Sequence, residues 1–162
     1  MSDQPYVVHG ELPVLDQPVL VVHFGGWIDA SGAAGAAMSV IDAATAARPI
    51  VTFDSDVFVD YRARRPTMEL REGVSTRLIW PEIVLKVGRD LKGSAVLLLS
   101  GPEPDSQWRR FANAVGSLAA HLGVSRMIAL GAYPFAAPHT RSARLSITTP
   151  SAEIAASTPW LR

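Results

Sequence analysis

Cysteine is absent from this 162-residue chain, which removes disulfides, thiolate nucleophiles and thiolate metal sites together. The absence agrees with a reducing compartment, and a cytoplasmic protein is the expectation. Long apolar runs are lacking as well. The most apolar stretches, Pro18–Phe24 and Ala95–Leu99, fall far short of the roughly 20 residues a helix needs to cross a bilayer and read as buried strands. The residues up to Asp16 carry Asp3, Glu11, Pro5 and Pro13 and have no apolar centre of the kind a signal peptide requires. Net charge is the third absence: Lys plus Arg equals Asp plus Glu at 15 each. With no long run of one sign, bulk attraction to nucleic acid or to an anionic membrane is not expected, so a charged ligand would need a local site.

What is present is enough apolar material to fold. Hydrophobic residues make up 48% and charged residues 19%, a balance that supports a buried core in a single domain. We take residues 1–162 as one α/β domain, with 1–16 an N-terminal extension and 150–162 a weakly structured tail. Pro18–Phe24 has the both-faces-apolar pattern of a covered parallel strand, ended by Gly25-Gly26. Apolar side chains at helical spacing through Ala33, Ala34, Ala37, Met38, Ile41 and Ala44 predict a helix starting at Asp29 or Ser31. Pro49–Phe53 predicts the next strand, giving a β-α-β unit with an expected right-handed crossover. Asp54–Gly73 is charge-dense and reads as a long loop of functional interest. Thr76–Val87, broken by Pro81, predicts a hairpin or an interrupted strand.

Ser94–Ser100 predicts another buried strand, and Gly101-Pro102-Glu103-Pro104-Asp105 a rigid turn into a helix. That helix is the clearest element: Trp108, Phe111, Ala112, Val115, Leu118, Ala119 and Leu122 share one face. Gly123 is placed to stop it. Arg126–Leu130 predicts the next strand and Arg144–Thr149 an edge strand.

Four stretches carry a family resemblance. They are Val22-His-Phe-Gly-Gly-Trp-Ile-Asp-Ala-Ser-Gly-Ala-Ala34, Phe53-Asp-Ser-Asp-Val-Phe-Val-Asp-Tyr-Arg-Ala-Arg-Arg-Pro66, Leu99-Ser-Gly-Pro-Glu-Pro-Asp-Ser-Gln-Trp108 and Gly131-Ala-Tyr-Pro-Phe-Ala-Ala-Pro-His-Thr-Arg141. The chain resembles the bacterial branch of the proteasome assembly chaperone 2 family. The resemblance implies a three-layer α/β/α sandwich with a mostly parallel sheet, similar to the fold of purine nucleoside phosphorylases and related hydrolases, without their activity. Eukaryotic members are non-catalytic chaperones that pair with a partner to assemble proteasome rings. Members of this type are usually considerably longer, so the chain resembles the first half of one.

Candidate site residues fall in the turns after the strands, where ligands usually bind an α/β sheet. Gly25 and Gly26 either bring backbone N–H groups to an anion at a helix N-terminus or form a structural turn. Neither a dinucleotide-binding nor a P-loop spacing surrounds them. Asp29 is a helix cap or a substrate acceptor. Asp60, Arg62 and Arg65, with Asp54, Asp56 and Arg64, are either a metal- or phosphate-gripping patch or a self-paired surface loop. Glu103 and Asp105 lie at the same strand end, with Asp105 or Ser106 expected to cap the helix after it. His139 and Arg141, in the last such loop, could act as acid or base and as anion binder. No Gly-x-Ser-x-Gly elbow accompanies them.

The four histidines have no metal-ligand spacing, so neither a metal nor a cofactor is implied. The expected role is a non-catalytic interaction or assembly domain, forming a homo-oligomer or pairing with a related subunit. The alternative is a binding protein or enzyme for a phosphorylated or nucleoside-like ligand.

Overall fold

The computed structural model describes residues 4–136, 138–142 and 144–158. Its core is a six-stranded sheet in which β2 (Val19–Gly25) pairs in parallel with β7 (Ala95–Pro102) on one side and β8 (Arg126–Leu130) on the other. Strand β7 then pairs antiparallel with β6 (Val84–Arg89), β6 with β3 (Arg48–Phe53), and β3 with the edge strand β1 (Tyr6–Val8). The order is β1-β3-β6-β7-β2-β8. The sheet is therefore mixed, and the mostly parallel sheet expected from the sequence is corrected. Strand β6 is the cause: it returns antiparallel to β7 through the Asp90–Ser94 turn, where the Asp90 carboxylate accepts the N–H groups of Lys92 and Ser94. That turn also keeps β2 and β3 apart, with β6 and β7 between them.

Side chains alternate across the pleat, and the two faces of β2 and β7 bury against different helices. Leu20, Val22, Leu97 and Leu99 pack beneath Phe111, Ala114 and Leu118 of α3 (Trp108–His121). Val21 and Leu98 pack against Met38 of α1 (Ala33–Thr45) on the other face. Phe111 anchors the larger core, with ring centroids 4.9 Å from Phe53, 5.2 Å from Phe58 and 5.6 Å from Phe24. Edge-to-face pairs of this kind add about 0.5–1.5 kcal/mol each beyond area burial.

The charge-dense stretch after β3 is structured. A four-residue helical turn, α2 (Ser55–Phe58), is capped by Asp54. A separate two-stranded sheet follows, β4 (Thr67–Arg71) against β5 (Val74–Ile79). Across Thr76–Val87, where a hairpin or an interrupted strand was expected, β5 ends at Ile79 and β6 begins at Val84 in a different sheet, so the run is interrupted at Pro81 and the hairpin lies earlier in the chain. Its turn residues Glu72 and Gly73 both have positive φ, 50° and 83°, the geometry that twists a two-residue hairpin correctly. A glutamate is a rare occupant of that position, and this hid the turn. Two further expectations are corrected: Arg144–Thr149 forms no strand, and β1 recruits part of the N-terminal extension into the sheet. Within the tail, α4 (Ala152–Ser157) is a short helix, while residues 159–162 lie outside the described residues.

Two glycines make opposite predictions. Gly101 has φ +154°, and a β-carbon there would sit 2.7 Å from the Ile83 Cα. Gly116 lies inside α3 with open space around it. Gly116→Ala should stabilise the protein by about 0.5–1 kcal/mol, raising the melting temperature by a few degrees. Gly101→Ala should lower it by more than that, and thermal unfolding followed by circular dichroism checks both.

Candidate functional site

Parallel pairing places the C-terminal ends of β2, β7 and β8 side by side, and the loops leaving them meet there. The loop after β2 zips onto the segment after β8: the Ala132 N–H donates to the Ile28 carbonyl, and the Ala30 N–H to the Ala132 carbonyl. The loop after β7 joins β2 through the Glu103 N–H, which donates to the Gly25 carbonyl. That carbonyl also accepts from Nη1 of Arg64 at 3.2 Å. Arg64 ties its own loop to the β2 end and to the turn after β7, because its Nε also reaches both carboxylate oxygens of Asp105 at 3.1–3.2 Å. Asp105 in turn accepts the Asp60 N–H at 2.9 Å. These side chains are half-buried, at 26% exposure for Arg64 and 22% for Asp105.

Asp105 is thereby committed to the loop that follows α2. The expectation that Asp105 or Ser106 caps α3 is corrected. The cap position is Gln107 in left-handed geometry, without a side-chain bond, and the Ser106 hydroxyl donates to the Val57 carbonyl instead.

Asp29 faces inward. Its carboxylate accepts the N–H groups of Ala34 at 3.1 Å and Gly35 at 2.8 Å, and meets His23 Nε2 at 3.0 Å. It thus occupies the anion position at the start of α1, which begins at Ala33, later than Asp29 or Ser31. Burial pulls the Asp29 carboxyl pKa upward, but the bonds from Gly35, His23 and Ala34 outweigh burial and hold it below 3.8. Gly35 is needed beside it, since a β-carbon there would lie 3.2 Å from both Asp29 Oδ2 and His23 Cε1.

A phosphate at this helix end would displace a carboxylate that is already hydrogen-bonded. A β-carbon at Gly26 would lie 2.6 Å from Glu103 Oε2, so an acidic side chain occupies the space over the glycine pair. Gly26 therefore serves the close packing of the two loops, while a β-carbon at Gly25 would meet only the Gly101 carbonyl at 3.8 Å. No serine hydroxyl bonds to His23 among the described residues, and no three His, Asp or Glu side chains there gather as a metal site.

The remaining candidates divide. Asp60 binds Arg62 through its backbone N–H and guanidinium at 2.9–3.3 Å, and these bonds hold its carboxyl below 3.8 and raise the Arg62 guanidinium. The Arg62 side chain is 91% exposed, so the pair adds little stability. Arg62 and Arg65 border an open groove of about 760 Å³ whose apolar wall is Val59, Tyr61, Pro66 and Trp80. The Tyr61 and Trp80 rings meet edge to face at 4.9 Å. Burial, then a bond to Asp56, raises the Tyr61 phenol above its ordinary value. His139 and Arg141 are exposed on the segment after β8. No hydrogen bond or ion pair among the described residues joins them to Gly25, Glu103 or Arg62. His23 and Trp80 were not singled out as site residues by sequence reasoning, and Arg64 was read only as part of the charged patch, not as the tie to Gly25 and Asp105. Only the placement of His23 at a strand end could have signalled its part.

The family model described as the PAC2 family matches residues 23–160. The chain belongs to the PAC2 family. Among solved structures, a protein of unknown function from Mycobacterium tuberculosis is 38% identical with a TM-score of 0.78, and the match covers 88% of this chain and 51% of that one. A proteasome-assembly chaperone homologue from the same organism is 33% identical with a TM-score of 0.80, over 89% of this chain and 61% of that one. A PAC2 family protein from Streptomyces avermitilis is 31% identical with a TM-score of 0.76, over 90% and 62%. This PAC2 chain therefore spans about half to three-fifths of the length of those relatives. No curated protein matches it.

Because the folded pKa of Asp29 is depressed, its stabilisation is fully present above about pH 4, near the unfolded value, and is lost as pH falls through the folded value. Asp29→Asn should lower the melting temperature at pH 7, and the gap to wild type should narrow steadily below pH 4. A gap that stays constant down to pH 2 would contradict the assigned bonds.

Proposed function

We propose that this PAC2-family chain is a non-catalytic assembly domain that docks protein subunits, a second copy of itself among them, in the cytoplasm. The β4–β5 hairpin carries the proposal. Among the described residues it pairs with no other strand, and a lone two-stranded hairpin is marginal in water unless something covers its apolar face. Met68 and Leu78 are register partners, and Leu70 follows two residues after Met68. They stand 52%, 46% and 61% exposed.

The opposite face carries Glu69 in ion pairs with Arg71 and Arg77. That face also exposes Val74 and Ile79, and a hairpin with apolar side chains open to solvent on both faces is the form of surface that marks a protein contact. The open edge at β8 points the same way: Met127 and Ile128, on opposite faces of that strand, are both exposed, whereas strands in parallel pairing are normally covered on both. The description of a relative one-third identical as a proteasome-assembly chaperone homologue supports a role of this assembly type. The closed bonding around Asp29 and Arg64, together with the absence of a Ser–His pair or metal cluster among the described residues, favours it over small-molecule chemistry.

Light scattering over a range of concentrations tests the reading. The wild-type chain should associate, and Met68→Glu with Leu78→Glu should shift it to monomer without lowering its melting temperature. A wild-type chain that stays monomeric throughout counts against self-assembly through this face.

A further inference from the structure

The segment between β1 and β2 is extended and pinned at two points. Leu12 and Leu15 pack against the α3-side core. Between them Val14 is fully exposed. Glu11 and Asp16 flank it, both exposed, and no hydrogen bond or ion pair among the described residues engages either carboxylate. The chain thus holds out a preorganised knob, one apolar side chain between two free negative charges, with Pro13 stiffening it. Preorganisation matters because a contact made by an already ordered segment costs less entropy on binding.

The groove below the hairpin has the complementary pattern. Val59, Tyr61, Pro66 and Trp80 form an apolar wall, and Arg62 and Arg65 stand at its border with the single carboxylate of Asp60, so the groove stays positive on balance. Arg65 has no acidic partner among the described residues, and Arg62 is held only by the exposed Asp60.

Knob and groove cannot meet within one chain. The knob sits at the N-terminal end of the parallel strands, where the Ser125 hydroxyl donates to the Gln17 carbonyl and the Ser125 N–H to that of Pro18. The groove hangs from the C-terminal end, where Arg64 and Asp105 tie its loop to Gly25 and the turn after β7. We propose that Glu11–Asp16 of one copy docks into the Tyr61–Trp80 groove of the next, with Val14 on the aromatic wall and the two carboxylates against Arg62 and Arg65. This rests on the self-assembly reading above and names a second surface for it. A contact between two different patches is head-to-tail, so it builds a ring if the rotation closes and a filament if it does not.

Charge exchange tests it. One chain carries Glu11→Lys with Asp16→Lys, the other Arg62→Glu with Arg65→Glu. Every position is exposed, and matched melting curves confirm that both fold. Each variant alone places like charges in contact, and its self-association should weaken by at least about tenfold. Mixed one to one, each knob finds an opposite-charged groove, and light scattering should recover multimers, of even copy number where the ring closes, that dissociate near 1 M NaCl, where screening reaches about 3 Å. Variants that associate alone as wild type does, or a mixture that fails to recover, would overturn the proposal. If multimers persist in both charge variants but dissolve with Met68→Glu and Leu78→Glu, this contact fails while the hairpin reading stands. A wild-type chain that is monomeric at every concentration removes both.

Discussion

Everything in this molecule hangs on the parallel pairing of β2 between β7 and β8. A strand paired on both edges has no open backbone of its own, and its side chains leave alternately from two faces that must both be covered. Val21 finds α1 and Leu20 and Val22 find α3, so one central strand dictates a helix on each side. The same parallel register, Val19 opposite both Val96 and Arg126, brings three strand ends to one place. The loops leaving those ends are neighbours because the strands are, although they lie far apart in sequence.

Polar groups at that meeting point are satisfied by one another. The Asp29 carboxylate neutralises the start of α1, which carries partial positive charge, and gives His23 its partner. Arg64 closes the gap between the β2 end and the turn after β7 and shares the Gly25 carbonyl with the Glu103 N–H. A region so internally bonded is poorly suited to exchanging its partners for a ligand, since each displaced bond leaves a half-buried group to be satisfied again. The unsatisfied potential of the protein lies elsewhere: in the bare side of the β4–β5 hairpin, at the β8 edge and in the free charges of Glu11, Asp16 and Arg65. These are the features on which the proposed protein contacts rest.

The strands β2, β3, β7 and β8 and the helix α3 were legible because their signals are local: runs of apolar residues or a clean helical stripe, bounded by glycine or proline. Phe111, Leu118 and Leu122 were placed on the buried face of α3 by spacing alone. The hairpin β4–β5 was not legible, for its Thr-Met-Glu-Leu-Arg strand alternates polar and apolar residues amid charges, and its turn is Glu-Gly instead of the usual Asn-Gly or Asp-Gly. The direction of β6 was also hidden, because an apolar strand reads alike whichever way it runs.

Residue chemistry determined by itself what this chain can be built from: a cysteine-free, charge-balanced α/β domain with a buried sheet and polar turns. Tertiary structure alone decided how those turns are used. Arg64 and Asp105 are 41 positions apart, and no spacing rule joins two side chains at that separation. The β3-β6-β7 order of the sheet and the Asp105 N–H bond to the Phe58 carbonyl do so, and the same packing that consumes Asp105, Asp29 and Arg64 leaves Val14, Leu70 and Arg65 facing outward.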